Sequence, residues 1–63
     1  MKFYRKACDG RDSKGCNNLG AAYQFGKGVR QDDSEALKYY GRACDLKEQQ
    51  GCDNYAKLKT GRR

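Results

Sequence analysis

The residues with the clearest chemistry are four cysteines, Cys8, Cys16, Cys44 and Cys52, in a chain of 63 residues with no histidine. Thiols close disulfides, ligate zinc or exchange with other disulfides, and their spacing helps to separate these uses. Structural zinc sites and redox motifs draw on short pairs such as Cys-x2-Cys. None is present, because Cys8 precedes Cys16 and Cys44 precedes Cys52 by 8 positions each. A 7.1 kDa chain with four cysteines reads as crosslinked, provided that it matures in an oxidising compartment. No metal and no cofactor are expected.

A second candidate for chemistry is Lys59-Thr60-Gly61, which reads as one of the three serine β-lactamase signatures. The nucleophile motif Ser-x-x-Lys is missing, since Ser13 is followed three positions on by Cys16 and Ser34 by Leu37. Ser-Asp-Asn is missing as well, and without histidine there is neither a Ser-His-Asp triad nor a histidine-bound zinc hydrolase. The expectation is a protein that is not an enzyme.

Charge and length narrow the remaining classes. Lys and Arg number 14 against 8 Asp and Glu, a net charge of +6. Part of this sits at Lys57, Lys59, Arg62 and Arg63, as a solvated surface and tail would. The basic residues are spread over several segments and carry no nucleic-acid motif, so no nucleic acid is expected. No apolar run approaches a membrane span. The first six residues, Met1 to Lys6, lack the apolar stretch of a signal peptide. So short a chain buries little surface and needs a staple to stay folded.

The elements that hold these residues follow from an internal repeat. With an offset of 36, Lys2 meets Lys38, Tyr4 meets Tyr40, and Ala7-Cys8-Asp9 meets Ala43-Cys44-Asp45. Gly15-Cys16 meets Gly51-Cys52 and Asn18 meets Asn54, with no gap. A period in the mid-thirties fits two helices and two loops, the unit of helical solenoids. The absence of Pro also favours helix.

Helical spacing of Ala36, Leu37, Tyr40, Ala43 and Cys44 places one helix over residues 32–45. Asp32 and Glu35 before it read as a capping box. Cys16, Leu19, Ala22 and Tyr23 place another over 13–26, ended by Gly26-Lys27-Gly28. Repeat logic gives half a helix over 1–9 and a further helix over 49–60. The fold class is all-α, with antiparallel helix pairs in the order half B, A, B, A, forming one module over 1–63. A start within a helix reads as an excised or engineered minimal repeat.

These residues resemble a known family. Ala7-Cys8-Asp9, Gly15-Cys16-Asn17-Asn18-Leu19-Gly20-Ala21-Ala22-Tyr23, Gly26-Lys27-Gly28-Val29, Ala36-Leu37-Lys38-Tyr39-Tyr40 and Ala43-Cys44-Asp45-Leu46 are similar to the Sel-one-like repeat. More narrowly they look like its cysteine-rich branch, the Helicobacter cysteine-rich proteins. The second copy departs from the pattern, with Tyr55 for Leu19 and Ala56 for Gly20. Lys57-Leu58-Lys59 there resembles a capping helix with a polar outer face.

The resemblance implies a right-handed, tetratricopeptide-like solenoid and a secreted or periplasmic parent. It implies a scaffold that binds a protein or peptide on its concave face, and for this branch a penicillin-binding or weak β-lactamase-like alternative. Repeat and resemblance together favour Cys8–Cys16 and Cys44–Cys52 as the bonds among three possible pairings. Asn18 and Asn54, at equal positions on the A helices, are the candidates to hold a peptide backbone. Tyr23 and Tyr39 are the aromatics expected to be partly exposed. Tyr4, Phe25, Tyr40 and Tyr55 go mostly to the core with Leu19, Leu37, Leu46 and Leu58. A monomer is expected, with self-association through the exposed repeat ends as the alternative.

Overall fold

The structure is a computed structural model that describes residues 2–61, with side chains from Arg5 to Gly61. Among the described residues four helices follow one another: α1 (Lys2–Asp9), α2 (Ser13–Phe25), α3 (Asp33–Asp45) and α4 (Gln49–Lys59). Each packs against the next, and α2 also touches α4. This is the zigzag of a helical solenoid.

The two joints, α1 to α2 and α3 to α4, are built alike. In the first, the Arg11 amide donates to Cys8 O and the Asp12 amide to Ala7 O, both at 2.9 Å. In the second, Lys47 donates to Cys44 O and Glu48 to Ala43 O at the same 2.9 Å. These paired bonds form a Schellman close, which needs a left-handed residue just past the helix. Arg11 (φ 66°) and Lys47 (φ 68°) fill that position although neither is glycine. The residue that closes one helix then opens the next. The Asp12 carboxylate accepts from the Lys14 and Gly15 amides, capping α2. Glu48 precedes α4 without a side-chain cap.

Cys8–Cys16 and Cys44–Cys52 are bonded, with α-carbons 4.4 and 4.5 Å apart. Each bond ties the last turn of one helix to the second turn of the next. Helices come this close only because Gly15 and Gly51 stand at the crossing. A β-carbon on Gly15 would lie 2.5 Å from Ala7 Cβ, and one on Gly51 2.6 Å from Ala43 Cβ.

The hairpin between α2 and α3 is different. Gly26 ends α2 at φ 68°, and the Gly26 and Lys27 amides both donate to Ala22 O. Asp32 caps α3 by accepting from the Ser34 and Glu35 amides. The Asp32 amide is given to Tyr23 O at 2.9 Å, so the backward bond expected from Glu35 is replaced by one to the preceding helix. Gly26, Asp32 and Thr60 are caps flanking the helices and not members of them.

The core is two small clusters. Cys8, Cys16, Leu19, Tyr39 and Ala43 form one, with Tyr23 and Leu46 packed against it. Ala36, Tyr40 and Leu58 form the other, flanked by Leu37 and Tyr55. Tyr39 therefore corrects the expectation of partial exposure: it is buried, 6% exposed, and stacks on Tyr23 with centroids 5.7 Å apart. The reason is that α3 is gripped from two sides. Tyr40 faces α2 closely enough that a β-carbon on Gly20 would meet its ring at 2.6 Å. Tyr39 points at the first joint, so neighbouring tyrosines are both enclosed.

Candidate protein-binding face

The A helices α2 and α4 lie side by side, and polar side chains bridge their starts. Ser13 Oγ donates to Glu48 Oε1 at 3.2 Å, Asn17 Nδ2 to Gln50 Oε1 at 3.4 Å, and Asn54 Nδ2 to Asn17 Oδ1 at 3.0 Å. These bonds set the spacing of the two helices. They also separate the two asparagines singled out by the repeat. Asn54 is half-buried and held by Asn17, one residue before its repeat equivalent, whereas Asn18 is exposed.

Further along, α2, α3 and α4 together surround an opening. A hollow of about 530 Å³ opens between them, lined by Ala21, Gln24, Phe25, Gln31, Asn54 and Lys57 among others. A second hollow of about 310 Å³ adjoins it, lined by Asn18, Ala21, Ala22, Phe25 and Lys27. Ala21 and Phe25 belong to both, and Phe25 is 65% exposed, the only large hydrophobic so exposed among the described residues. The floor is braced: Tyr40 Oη donates to Gln24 Oε1 at 2.6 Å, and Gln31 Nε2 donates to Gln24 O at 2.8 Å. Burial raises the Tyr40 phenol above its usual value, so it is a neutral donor across physiological pH.

Of the sequence candidates, this face collects Asn18 and Asn54. Tyr23 and Tyr39 lie elsewhere, against the joint clusters. The Arg5 guanidinium donates to Tyr23 Oη at 3.2 Å, and that bond raises the Arg5 pKa further. Gln24, Asn17 and Lys57 were not singled out by the sequence, and Phe25 corrects the expectation that placed it in the core, because it stands at the rim of the two hollows and not between the helices. The only signal at Phe25 was an aromatic in the last turn before Gly26.

Lys59-Thr60-Gly61 closes α4. Thr60 Oγ donates to Lys57 O at 3.1 Å, and Lys59 Nζ lies 5.5 Å from the Tyr55 ring centre. Ser13 and Ser34 stand at the starts of α2 and α3. No cluster of three metal-ligating side chains occurs among the described residues.

Helix pairs in series, joints built twice on one plan and an open face of A helices define an α-helical repeat module. A family model for the Sel1 repeat matches residues 1–12 and 13–48, and the chain belongs to the Sel1 repeat family. Its repeats are in general protein-interaction modules. No curated protein and no solved structure matches the chain. Its two disulfides are bonds of an oxidising, extracellular or periplasmic environment. Among the described residues, no helix is long and apolar enough to cross a membrane.

Proposed function

We propose that the module binds an extended polypeptide segment along the α2–α4 face. The observation that carries this reading is Phe25, 65% exposed where two hollows meet. Aromatic rings are the usual anchors of interfaces, and this one stands open beside two hollows that a ligand could fill. The ligand places an apolar side chain against Phe25 and Ala21. Asn18 and Asn54 are the candidates to hold its backbone through amide donors and acceptors. Lys27 and Lys57 flank the site and favour an acidic residue on the ligand, in keeping with the net charge of +6.

We further place the chain in the cysteine-rich branch of its family, on the repeated cysteine pairs, with a secreted or periplasmic parent. The partner in this reading is a protein, not a membrane or a nucleic acid, and no cofactor is involved. Selection of a displayed peptide library against the oxidised module tests the proposal. Enriched sequences should pair an apolar residue with Asp or Glu, and Phe25→Ala should weaken their binding at least tenfold. Binders indifferent to Phe25→Ala and Asn18→Ala would place the ligand on another face. The same reading expects no nitrocefin turnover above buffer.

A further inference from the structure

Gln24 stands in the last turn of α2, and with Ala21 and Phe25 it lines the larger hollow. It is pinned at two points. Its main-chain oxygen, one of the carbonyls that a helix end leaves without a partner, accepts from Gln31 Nε2 at 2.8 Å. Its side-chain oxygen accepts from Tyr40 Oη at 2.6 Å. That distance fixes which way round the amide sits. It suits O–H···O and is shorter than N–H···O bonds normally run, so oxygen and not nitrogen meets the phenol. Tyr40 has no freedom to turn to another partner, because it is 1% exposed with its ring against Gly20.

The nitrogen is then the free end of the amide, with two donors to offer. Among the described residues no group accepts from it. Gln24 is half-buried, and the hollow of about 530 Å³ is of the size that small ligand groups enter. Thr60 holds the equivalent position in the second unit, and its hydroxyl is spent on Lys57 O. The repeat therefore supplies no second group of this kind.

We propose that Gln24 Nε2 donates to an amide carbonyl of the ligand in this hollow, with Tyr40 as the positioning residue behind it. This rests on the reading of the α2–α4 face as a peptide site. An uncharged donor of fixed direction beside the apolar surface of Ala21 and Phe25 fits a neutral carbonyl next to an apolar side chain. The bond from Tyr40 sets the direction of the donor before the ligand arrives, so little side-chain freedom is lost on binding. Two sources carry such a carbonyl, the peptide backbone and the side-chain carboxamide of Asn or Gln.

Nuclear magnetic resonance titration of the isotope-labelled, oxidised chain with N-acetyl-Leu-Ala-N-methylamide, to about 20 mM, reads each group separately. The Gln24 side-chain NH2 signals should shift and saturate together with the Phe25 amide. A second probe with Gln in place of Ala adds a side-chain carboxamide. Tighter binding of that probe assigns the carbonyl to a side chain, and equal binding assigns it to the backbone. Gln24→Glu keeps an acceptor for Tyr40 and removes the donor, so it should weaken binding about three- to tenfold. Tyr40→Phe should weaken it about threefold. In the free protein, still folded by circular dichroism, it should also move the Gln24 NH2 signals, as the loss of an orienting bond requires.

Phe25 signals that respond while the Gln24 NH2 signals stay in place would overturn the role of Gln24 and leave the peptide reading standing. The reverse would keep the Gln24 donor and remove Phe25 from the site. Silence at both would overturn the two together. Binding undiminished in a folded Gln24→Glu chain would also overturn the proposal, and should that variant not fold, the titration of the unaltered chain decides.

Discussion

Gly51 meets Ala43 across the second joint so closely that a β-carbon on the glycine would sit 2.6 Å from the alanine methyl and 3.0 Å from the Cys44 nitrogen. Backbone and a short side chain form the obstacle, and neither can swing aside. Gly51→Ala is therefore expected to destabilise by about 1–2 kcal/mol, with overpacking partly offset by helix propensity. Gly41→Ala puts its new atom 3.4 Å from the Tyr55 ring, in ordinary contact, and should stabilise by about 0.5–1 kcal/mol. Thermal melts of the two variants should shift in opposite directions. Equal shifts would mean that the joint is looser than described.

The covered and uncovered joints should differ in reduction. Thiol attack needs access to sulfur, and Cys8 and Cys16 are buried while Cys44 and Cys52 are half-exposed. Partial reduction of dilute protein followed by alkylation should label Cys44 and Cys52 first. Replacing that pair by alanine should remove about 2.5 kcal/mol in the chain-entropy picture of a nine-residue loop. A small domain has little more stability than this, so the melting temperature should fall steeply.

Tyr40 gives a pH dependence with a definite sign. Burial raises its folded pKa above the ordinary phenol value of 10.0. Below pH 10 both states keep the proton and the full contribution is present. Above pH 10 the unfolded chain releases its proton before the folded one does, so stability falls as pH rises towards the folded pKa. Tyr40→Phe should be less stable near neutrality, through loss of the bond to Gln24, and should lack this alkaline decline. Denaturant midpoints measured from pH 8 to 11 would separate the two behaviours.

Arg11 and Lys47 hold positive φ at equivalent turns. A side chain there costs about 1 kcal/mol relative to glycine, less what glycine loses in the unfolded chain. Arg11→Gly and Lys47→Gly should each raise stability by a few tenths to 1 kcal/mol. A fall would show that the side chains contribute more than the turn costs.

What the sequence made legible was what repeats. The offset that matches Cys8 to Cys44 and Gly15 to Gly51 carries the helix order, and Asp32 and Gly26 mark where α3 begins and α2 ends. What it hid depends on contacts between units. Tyr39 was expected to be partly exposed because a helix wheel offers one buried arc, whereas α3 is enclosed on two. Asn54 pairs with Asn17 and not with its equivalent Asn18, because a bridge between adjacent A helices need not follow the repeat offset. The left-handed turns carry no glycine at Arg11 or Lys47, so no residue type announced them. Phe25 reads as core by composition, but it stands at the rim of two hollows and is left open.

One crosslink holds each joint, and peptide mapping without reduction tests this most directly. Trypsin cuts after Lys6, Arg11 and Lys14 around the first joint and after Arg42, Lys47 and Lys57 around the second. The bonds seen here predict that the peptide Ala7–Arg11 stays linked to the one beginning at Gly15, and the peptide Ala43–Lys47 to the one beginning at Glu48. A link between the Cys8 and Cys44 peptides, or free thiols in freshly oxidised protein, would contradict it.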